Sequence, residues 1–294
     1  MKKTYILFLF LITFSIVEAY ARDSIMYNSD TLKIATYNIR IKTKNDRGLH
    51  SWKNRKASVA KLIKSNKIDI CAVQEIKNKS QERKLQKLLP NFSLYSKARE
   101  NNRGSRGERI GILYSKTRFQ KENDGFFFLS PTPTISSKGW DAASNRICVW
   151  VKLYDKISQQ SLYVFDAHFD HKGSIAREKS AELIISKIKE IADNKSVICC
   201  GDFNASPAET KVHDALKTEL IDSEQIADIK MNTTVGTFNS WADSISSFPE
   251  NTKIDYIYCK DIQVFTYNIL NTKIENDAYP SDHFPVMIKC KLKD

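Results

Sequence analysis

The sequence predicts an α/β fold in which two β-sheets pack face to face and helices cover the outside of each sheet. Three features of the 294-residue chain point that way. Apolar, β-branched runs alternate with amphipathic stretches along nearly its whole length. Several of those runs are apolar on both faces, as strands buried between two layers must be. Some strands follow one another closely, as in hairpins, whereas helical segments separate others, so the sheets are expected to be mainly antiparallel or mixed.

Taken in order, 32–37 reads as a strand and Trp52–Ser65 as a helix that buries Ala57, Ala60, Leu62 and Ile63. Residues 68–74 form a largely buried strand. A short helix over 81–89 ends at Pro90, which has no N–H to continue it. Strands are expected near 92–96, 109–114, 119–128, 146–154 and 161–169. Ile175, Leu183, Ile184, Ile188 and Ile191 have helical spacing, so 175–191 is read as a helix leading into a strand at 197–200. The C-terminal part is strand-rich again, at 253–259, 262–268 and 285–292. The more polar stretches 97–107, 130–145 and 221–241 are read as loops. Phe126-Phe127-Phe128-Leu129 closes a strand and is placed in the core rather than in a membrane.

The first residues have a different character. Lys2 and Lys3 precede an apolar run from Tyr5 to Val17 and then Ala19-Tyr20-Ala21. A basic start, a short apolar stretch and a small-x-small site form the pattern of a secretory signal peptide. Residues 1–21 are therefore expected to be a signal peptide, 22–30 a short lead, and 31–294 one domain. The apolar run falls short of the roughly 20 residues of a membrane span, so export to the periplasm or the extracellular space is expected, with no integral span in the mature chain. The formal charge of +12 can steer a polyanion, but the lysines are dispersed and select no substrate by themselves. Cys71, Cys148, Cys199, Cys200, Cys259 and Cys290 lie mostly in apolar runs and are read as unpaired core thiols. No CxxC pair suggests a zinc site.

Polar residues recur where the apolar strands stop. Asn38 lies near the end of the first strand, Glu75 ends the second, and His168 ends Val164-Phe165-Asp166-Ala167-His168. Asp202 and Asn204 follow Val197-Ile198-Cys199-Cys200-Gly201, Asp255 opens Asp255-Tyr256-Ile257-Tyr258, and Asp282-His283 precede Phe284-Pro285-Val286. Carboxylates and amides beside buried strands are destabilising unless paired, hydrogen-bonded or metal-bound, so these sites are expected to share one polar centre. Glu75, Asp202 and Asp282 are hard oxygen ligands suited to Mg2+, Mn2+ or Ca2+. Such an ion stabilises the charge that develops when a phosphate is displaced. Asn38 and Asn204 can donate to phosphate or orient a water, although Asp202 and Asn204 also suit an Asx-turn after Gly201. His283 can act as a base or as a charged stabiliser oriented by Asp255, for which Lys253 is an alternative partner. Arg146 can bind a phosphate through its guanidinium fork or make a structural ion pair. Asp170 and His171 lie in the loop after His168, and Trp140 and Trp241 can stack on a base or pack under a loop. No Gly-x-Ser-x-Gly elbow supports serine acyl transfer.

Together, Thr36-Tyr37-Asn38-Ile39-Arg40, Gln74-Glu75, Ala167-His168-Phe169-Asp170-His171, Gly201-Asp202-Phe203-Asn204, Ile254-Asp255-Tyr256 and Ser281-Asp282-His283-Phe284-Pro285-Val286 resemble, in order and spacing, the endonuclease/exonuclease/phosphatase superfamily, the deoxyribonuclease I-like fold. The resemblance covers about residues 31–292 and implies a four-layer α/β/β/α sandwich with the site where loops of both sheets converge. It implies that Glu75 holds the metal, with Asn38 and Asp282 close to the same position. Asp202 and Asn204 would orient the attacking water and the scissile phosphate. His168 would contact phosphate or assist the leaving group, and Asp255 would pair with His283. Arg146, Asp170 and His171 are carried as substrate-binding candidates. One or two ions are both compatible with the resemblance. The expected activity is hydrolysis of a phosphodiester, with nucleic acid the favoured substrate and a lipid, sugar or inositol phosphate the alternative. A noncatalytic binding module would have lost Glu75, Asp202, Asn204, Asp255 or His283; all are present. A monomer without a stable protein partner is expected.

Overall fold

A computed structural model describes residues 30–242, 249–273 and 278–293; the expected signal peptide and nearly all of the 22–30 lead lie outside them. The unit Leu32–Asp294 is built on two mixed sheets. In chain order its elements are β1 (Leu32–Asn38), α1 (Trp52–Ser65), β2 (Ile70–Ile76), α2 (Lys79–Leu88), β3 (Phe92–Ala98), β4 (Arg109–Ser115), β5 (Phe119–Phe128), β6 (Ile147–Asp155) and β7 (Gln160–His168). There follow α3 (Ser174–Ala192), β8 (Ser196–Asp202), α4 (Thr210–Lys217), β9 (Ile221–Asp222), α5 (Ser223–Ile226), β10 (Ile229–Met231), β11 (Asp255–Lys260), β12 (Ile262–Ile269) and β13 (Val286–Leu292). Among the described residues one sheet has seven strands in the order β10-β12-β13-β1-β2-β4-β3, and the other six, β5-β6-β7-β8-β11-β9.

Topology decides where the polar strand ends meet. β1 and β2 are parallel and joined through α1; β7 and β8 are parallel and joined through α3. A parallel pair needs such a crossover, and both C-terminal ends then open on one side. In register, Asn38 lies opposite Gln74 and His168 opposite Asp202. β11 runs antiparallel to β8 with Asp255 opposite Asp202, and β13 runs antiparallel to β1 with Val286 opposite Thr36. The starts of β11 and β13 therefore lie at the end where β1 and β8 finish.

Three apolar clusters fill the layers. Ile34, Ile70, Ile112, Val151, Val164, Ile198 and Ile288 pack between the sheets. Ile184, Ile188, Val212 and Leu216 from α3 and α4 cover Cys199 and Phe203, and Val59, Ile63 and Leu85 from α1 and α2 cover Cys71 and Val73. Strand alternation sends Cys199 outward and Cys200 inward, so the adjacent thiols cannot bridge. All six cysteines are free and buried. Phe127, Phe128 and Leu129 are core residues as expected. Asn78 caps α2, accepting from the backbone N–H of Ser80 and Gln81 at 3.0 and 3.1 Å. No described helix is long and apolar enough to cross a membrane.

Two readings need correction. The stretch 221–241 is not simply a loop: it holds β9, α5 and β10. Two- to four-residue elements are too short to show a period, and α5 rests instead on a cap from Asp222 to the Glu224 N–H at 3.0 Å. α4 gives no clear sequence signal either, its buried apolar face being only Val212 and Leu216.

Candidate active site

Asn38 is fully buried at the end of β1, and its Nδ2 spans the two sheets. It donates to Glu75 Oε1 at 3.1 Å and to Asp202 Oδ2 at 2.9 Å, while its Oδ1 accepts the Arg40 N–H at 3.0 Å. Glu75 lies within β2 rather than beyond it, at a register shift between Val73 and Ile76, with φ of 62°. Such a bulge re-aims a side chain: Glu75 turns toward the centre and its Oε2 accepts the Ile41 N–H at 2.8 Å.

Gly201 shows why β8 ends as it does. Its φ is 148°, and a Cβ there would lie 1.8 Å from the Ala167 carbonyl oxygen, so only glycine lets β8 run this close to β7. Asp202 Oδ1 then accepts the Asn204 N–H at 2.9 Å in an Asx-turn, and Asn204 Nδ2 donates to the Phe169 carbonyl at 3.1 Å. Across the ladder, Asp255 Oδ2 bonds His283 Nδ1 at 2.9 Å, and His283 Nε2 lies 3.8 Å from Asp202 Oδ2. Lys253 pairs with Glu224 instead. Asp282 faces Arg40, whose Nη1 lies 3.2 Å from its Oδ2.

His168 closes the other wall, with Nε2 3.5 Å from Asp202 Oδ2 and Nδ1 3.5 Å from Glu108 Oε1. The same Glu108 oxygen lies 2.9 Å from Arg99 Nη1. Arg146 reaches Asp170 at 3.4 Å and His171 Nδ1 at 3.0 Å, while its buried Nη1 has no partner among the described residues. Asp170 does not touch His168. Its carboxylate accepts the N–H of Ala143, Ser144, Lys172 and Gly173 at 2.9–3.2 Å, tying loop 140–145 to the start of α3. His171 is exposed.

Burial and neighbouring charge set the protonation states. Burial alone would lower the His283 imidazole, but Asp255, with Asp202 and Asp282 behind it, pushes it up to about 10. Burial, then Arg146, pushes His168 down to about 3, so it is neutral. Burial and then Asp255 raise Asp202; burial raises Asp282, with Glu75 adding to it. Burial opposes ionisation of Glu75 too, with Glu108 adding to it, yet the charged His283 and the Ile41 N–H hold it below its usual range.

Four carboxylates thus converge on one imidazolium and one guanidinium, a charge balance that favours a cation. The donors suit a hard divalent ion, since they are carboxylate oxygens. Asp202, Asp255 and His283 each offer a ligand atom, all within 4.8 Å of one another. The Asp255–His283 hydrogen bond already occupies part of that trio, and Glu75 and Asp282, whose charges act on each other, form a second pair of carboxylates beside Asn38. One buried oxygen, Asp255 Oδ1, has no partner among the described residues.

The motif pattern of the Endonuclease/Exonuclease/phosphatase family matches residues 35–283. The chain belongs to that family. A Bacteroides thetaiotaomicron endonuclease/exonuclease/phosphatase family protein superposes with a TM-score of 0.83 at 31% identity, covering 90% of this chain and 98% of that one. A mannosyl-6-phosphatase of the same organism superposes with a TM-score of 0.81 at 32% identity, over 88% and 99%. An uncharacterized protein of Acanthamoeba polyphaga mimivirus is 26% identical over 256 residues, 82% of this chain and 92% of that one. Endonuclease/exonuclease/phosphatase members are phosphoester hydrolases, and this member brings Asn38, Glu75, His168, Asp202, Asn204, Asp255, Asp282 and His283 into one buried polar cluster.

Sequence patterns did not reveal the residues that hold these in place. Thr237 Oγ1 accepts the N–H of Ile254 and of Asp255 at 2.9 and 3.1 Å. Asn239 Nδ2 donates to the Ser281 carbonyl at 3.0 Å, and its N–H to the Asp282 carbonyl at 2.8 Å. Both lie in the stretch read as loop, where single polar residues carry no periodic signal. Phe238 beside them sets its ring 5.0 Å from His283. Trp241 packs on His50, ring centroids 4.2 Å apart, whereas Trp140 is exposed.

Proposed function

We propose that the protein is a divalent-metal-dependent hydrolase of phosphate esters and that Asp202 receives the proton of the attacking water. The observation that carries this is the line Asp255–His283–Asp202 set against the Asn38–Glu75–Asp282 group in one buried cluster. Glu75 and Asp282, with Asn38, would hold Mg2+, or Mn2+ or Ca2+ in its place. When bound, the ion supplies positive charge to a phosphoryl oxygen and steadies the charge that grows during displacement. Asp202, made more basic by burial and by Asp255, is suited to accept a proton. Asn204 orients the water and the phosphate with its remaining amide hydrogen. His283, charged and backed by Asp255, donates from Nε2 to the phosphoryl oxygen. His168, neutral, faces the leaving-group oxygen, with Arg146 behind it as a phosphate or hydroxyl contact; Asp170 and His171 shape that wall.

The substrate class we favour is a phosphorylated sugar. Its support is the 32% identity to a mannosyl-6-phosphatase across nearly the full length of both. The second reading is the nucleic-acid phosphodiester expected from the sequence. It is supported by the +12 charge and by the half-exposed Phe238 beside His283 and the exposed Trp140, since aromatic faces stack bases as readily as they line sugars. The test is hydrolysis of mannose 6-phosphate, a bis-aryl phosphate diester, RNA and plasmid DNA, with Mg2+ or with EDTA. Hydrolysis of none of them sinks the enzymatic reading, and cleavage of nucleic acid alone selects the second substrate. We also propose that the protein is exported, on the pattern of its first 21 residues. Recovery from the cytoplasm with Met1 intact would refute this.

A further inference from the structure

Arg55 is the largest side chain with essentially no exposure, and it stands on α1, outside every motif considered so far. Its hydrogen bonds among the described residues all go to backbone carbonyls. Nη1 donates to Ile39 and, at 3.4 Å, to Pro280; Nη2 donates to Arg40 at 2.7 Å; Nε donates to His50 at 2.9 Å. The guanidinium lies between the rings of Trp52 and Trp241, 5.0 and 5.6 Å from their centroids.

We infer that Arg55 is a positioning residue, which clamps the turn after Asn38 to the turn before Asp282 and so sets the cation-binding side of the site. This rests on the metal-dependent reading above. Arg40 has φ of 58°, a left-handed conformation that a non-glycine residue keeps only where its surroundings hold it. What holds it is its own carbonyl, which accepts from Arg55 Nη2 and from Gln81 Nε2 at 3.2 Å. With the carbonyls of Ile39 and Arg40 drawn back toward α1, the N–H groups of the turn face the opposite way. The Arg40 N–H meets Asn38 Oδ1, and the Ile41 N–H meets Glu75 Oε2. The same guanidinium reaches Pro280, and Ser281 Oγ donates to the Asn38 carbonyl at 2.7 Å, so Asp282 is referenced to the same frame. Burial pushes the guanidinium down to about 10, which leaves it charged at neutral pH. A lysine has one compact ammonium in place of this planar fork and cannot reach the four carbonyls that the guanidinium meets from three separate nitrogens.

The test compares wild type with Arg55→Lys and Gln81→Ala in three measurements: Mn2+ binding by calorimetry, amide hydrogen exchange of residues 39–41 without metal, and kcat and KM on the best substrate. Arg55→Lys should bind Mn2+ about 10- to 100-fold more weakly, the range typical of partners that orient metal ligands. Its Ile41 amide should exchange faster, and kcat should fall while KM stays near wild type. Methylguanidinium should restore part of the Mn2+ affinity to Arg55→Ala. Wild-type Mn2+ affinity and exchange in Arg55→Lys overturn the inference, as does an activity loss that only follows the unfolded fraction. If the Arg55 variants do not fold, Gln81→Ala decides, because it removes the other donor to the Arg40 carbonyl; unchanged Mn2+ affinity there is equally fatal. Exchange and Mn2+ binding need no substrate. A wild type that binds Mn2+ but hydrolyses nothing would therefore defeat the functional reading while leaving Arg55 decided.

Discussion

At the scale of single residues, the state of the site turns on two imidazoles displaced in opposite directions. His283 titrates at about 10, above the ~6.5 of an unfolded imidazole. Its contribution to stability is therefore complete below about pH 6.5 and is lost as pH rises through 10. His168 titrates at about 3, so its contribution is complete above about 6.5 and is lost as pH falls toward 3. Metal-free wild type should show its highest Tm near neutrality, with a decline on both sides. Asp255→Asn removes the group that keeps His283 charged, so its alkaline decline in Tm should flatten; an unchanged alkaline slope would contradict this assignment. The same substitution should lower kcat by about 100-fold or more, within the range of a lost acid–base group. The basic limb of its kcat/KM profile should move to lower pH, because the imidazolium then deprotonates earlier.

At the scale of elements, the site depends on a few irregularities where strands end. Gly201→Ala would place a methyl 1.8 Å from the Ala167 carbonyl oxygen on a backbone that alanine does not adopt. A loss of at least about 3 kcal/mol is expected, read as a lower urea midpoint at unchanged slope. Thr237→Val keeps the volume but strips the shared acceptor from the N–H groups of Ile254 and Asp255, a loss of about 1–3 kcal/mol. Activity should fall with it, and Thr237→Ser should recover both. These irregularities also mark how far the sequence could be read. Regular strands were legible because a buried sheet demands apolar runs, and the polar residues that interrupt them, Asn38, Glu75, Asp202, Asp255 and His283, stood out against that background. The bulge that turns Glu75 inward was not legible, because register belongs to the pair β2 and β4 and not to either strand. Thr237 and Asn239 escaped because their partners lie between 15 and 45 residues away, and Arg55 because an arginine on an amphipathic helix is normally solvated.

At the scale of the whole molecule, two parallel βαβ units end at one polar cluster. β1-α1-β2 supplies Asn38 and Glu75; β7-α3-β8 supplies His168 and Asp202, and the antiparallel β11 and β13 bring Asp255 and Asp282. Asn38 Nδ2 is the direct hydrogen-bonded link between the two carboxylate sets. Glu75, Asp202, Asp255 and Asp282 thus bring together negative charge from both sheets, and His283 and Arg40 balance only part of it. A divalent ion among them would relieve that repulsion while bridging elements far apart in the chain, so its binding energy would resist unfolding of both halves at once. An ion that binds only the folded chain stabilises it by about 2.7 kcal/mol at 100 times its Kd, so Tm should rise steadily with Mg2+ or Mn2+ concentration. Glu75→Gln and Asp282→Asn each withdraw one carboxylate and one share of the repulsion. Asp282→Asn should melt at or above the metal-free wild type, because burial opposes ionisation of Asp282, whereas Glu75→Gln should melt somewhat below it, because the fold favours the ionised Glu75. Both should gain little or nothing from the ion. The measurement is a thermal-shift titration on EDTA-stripped protein. A wild type that shows no metal-dependent shift, or a Glu75→Gln variant that keeps the full one, would place the ion elsewhere and leave these carboxylates to the phosphate and its water.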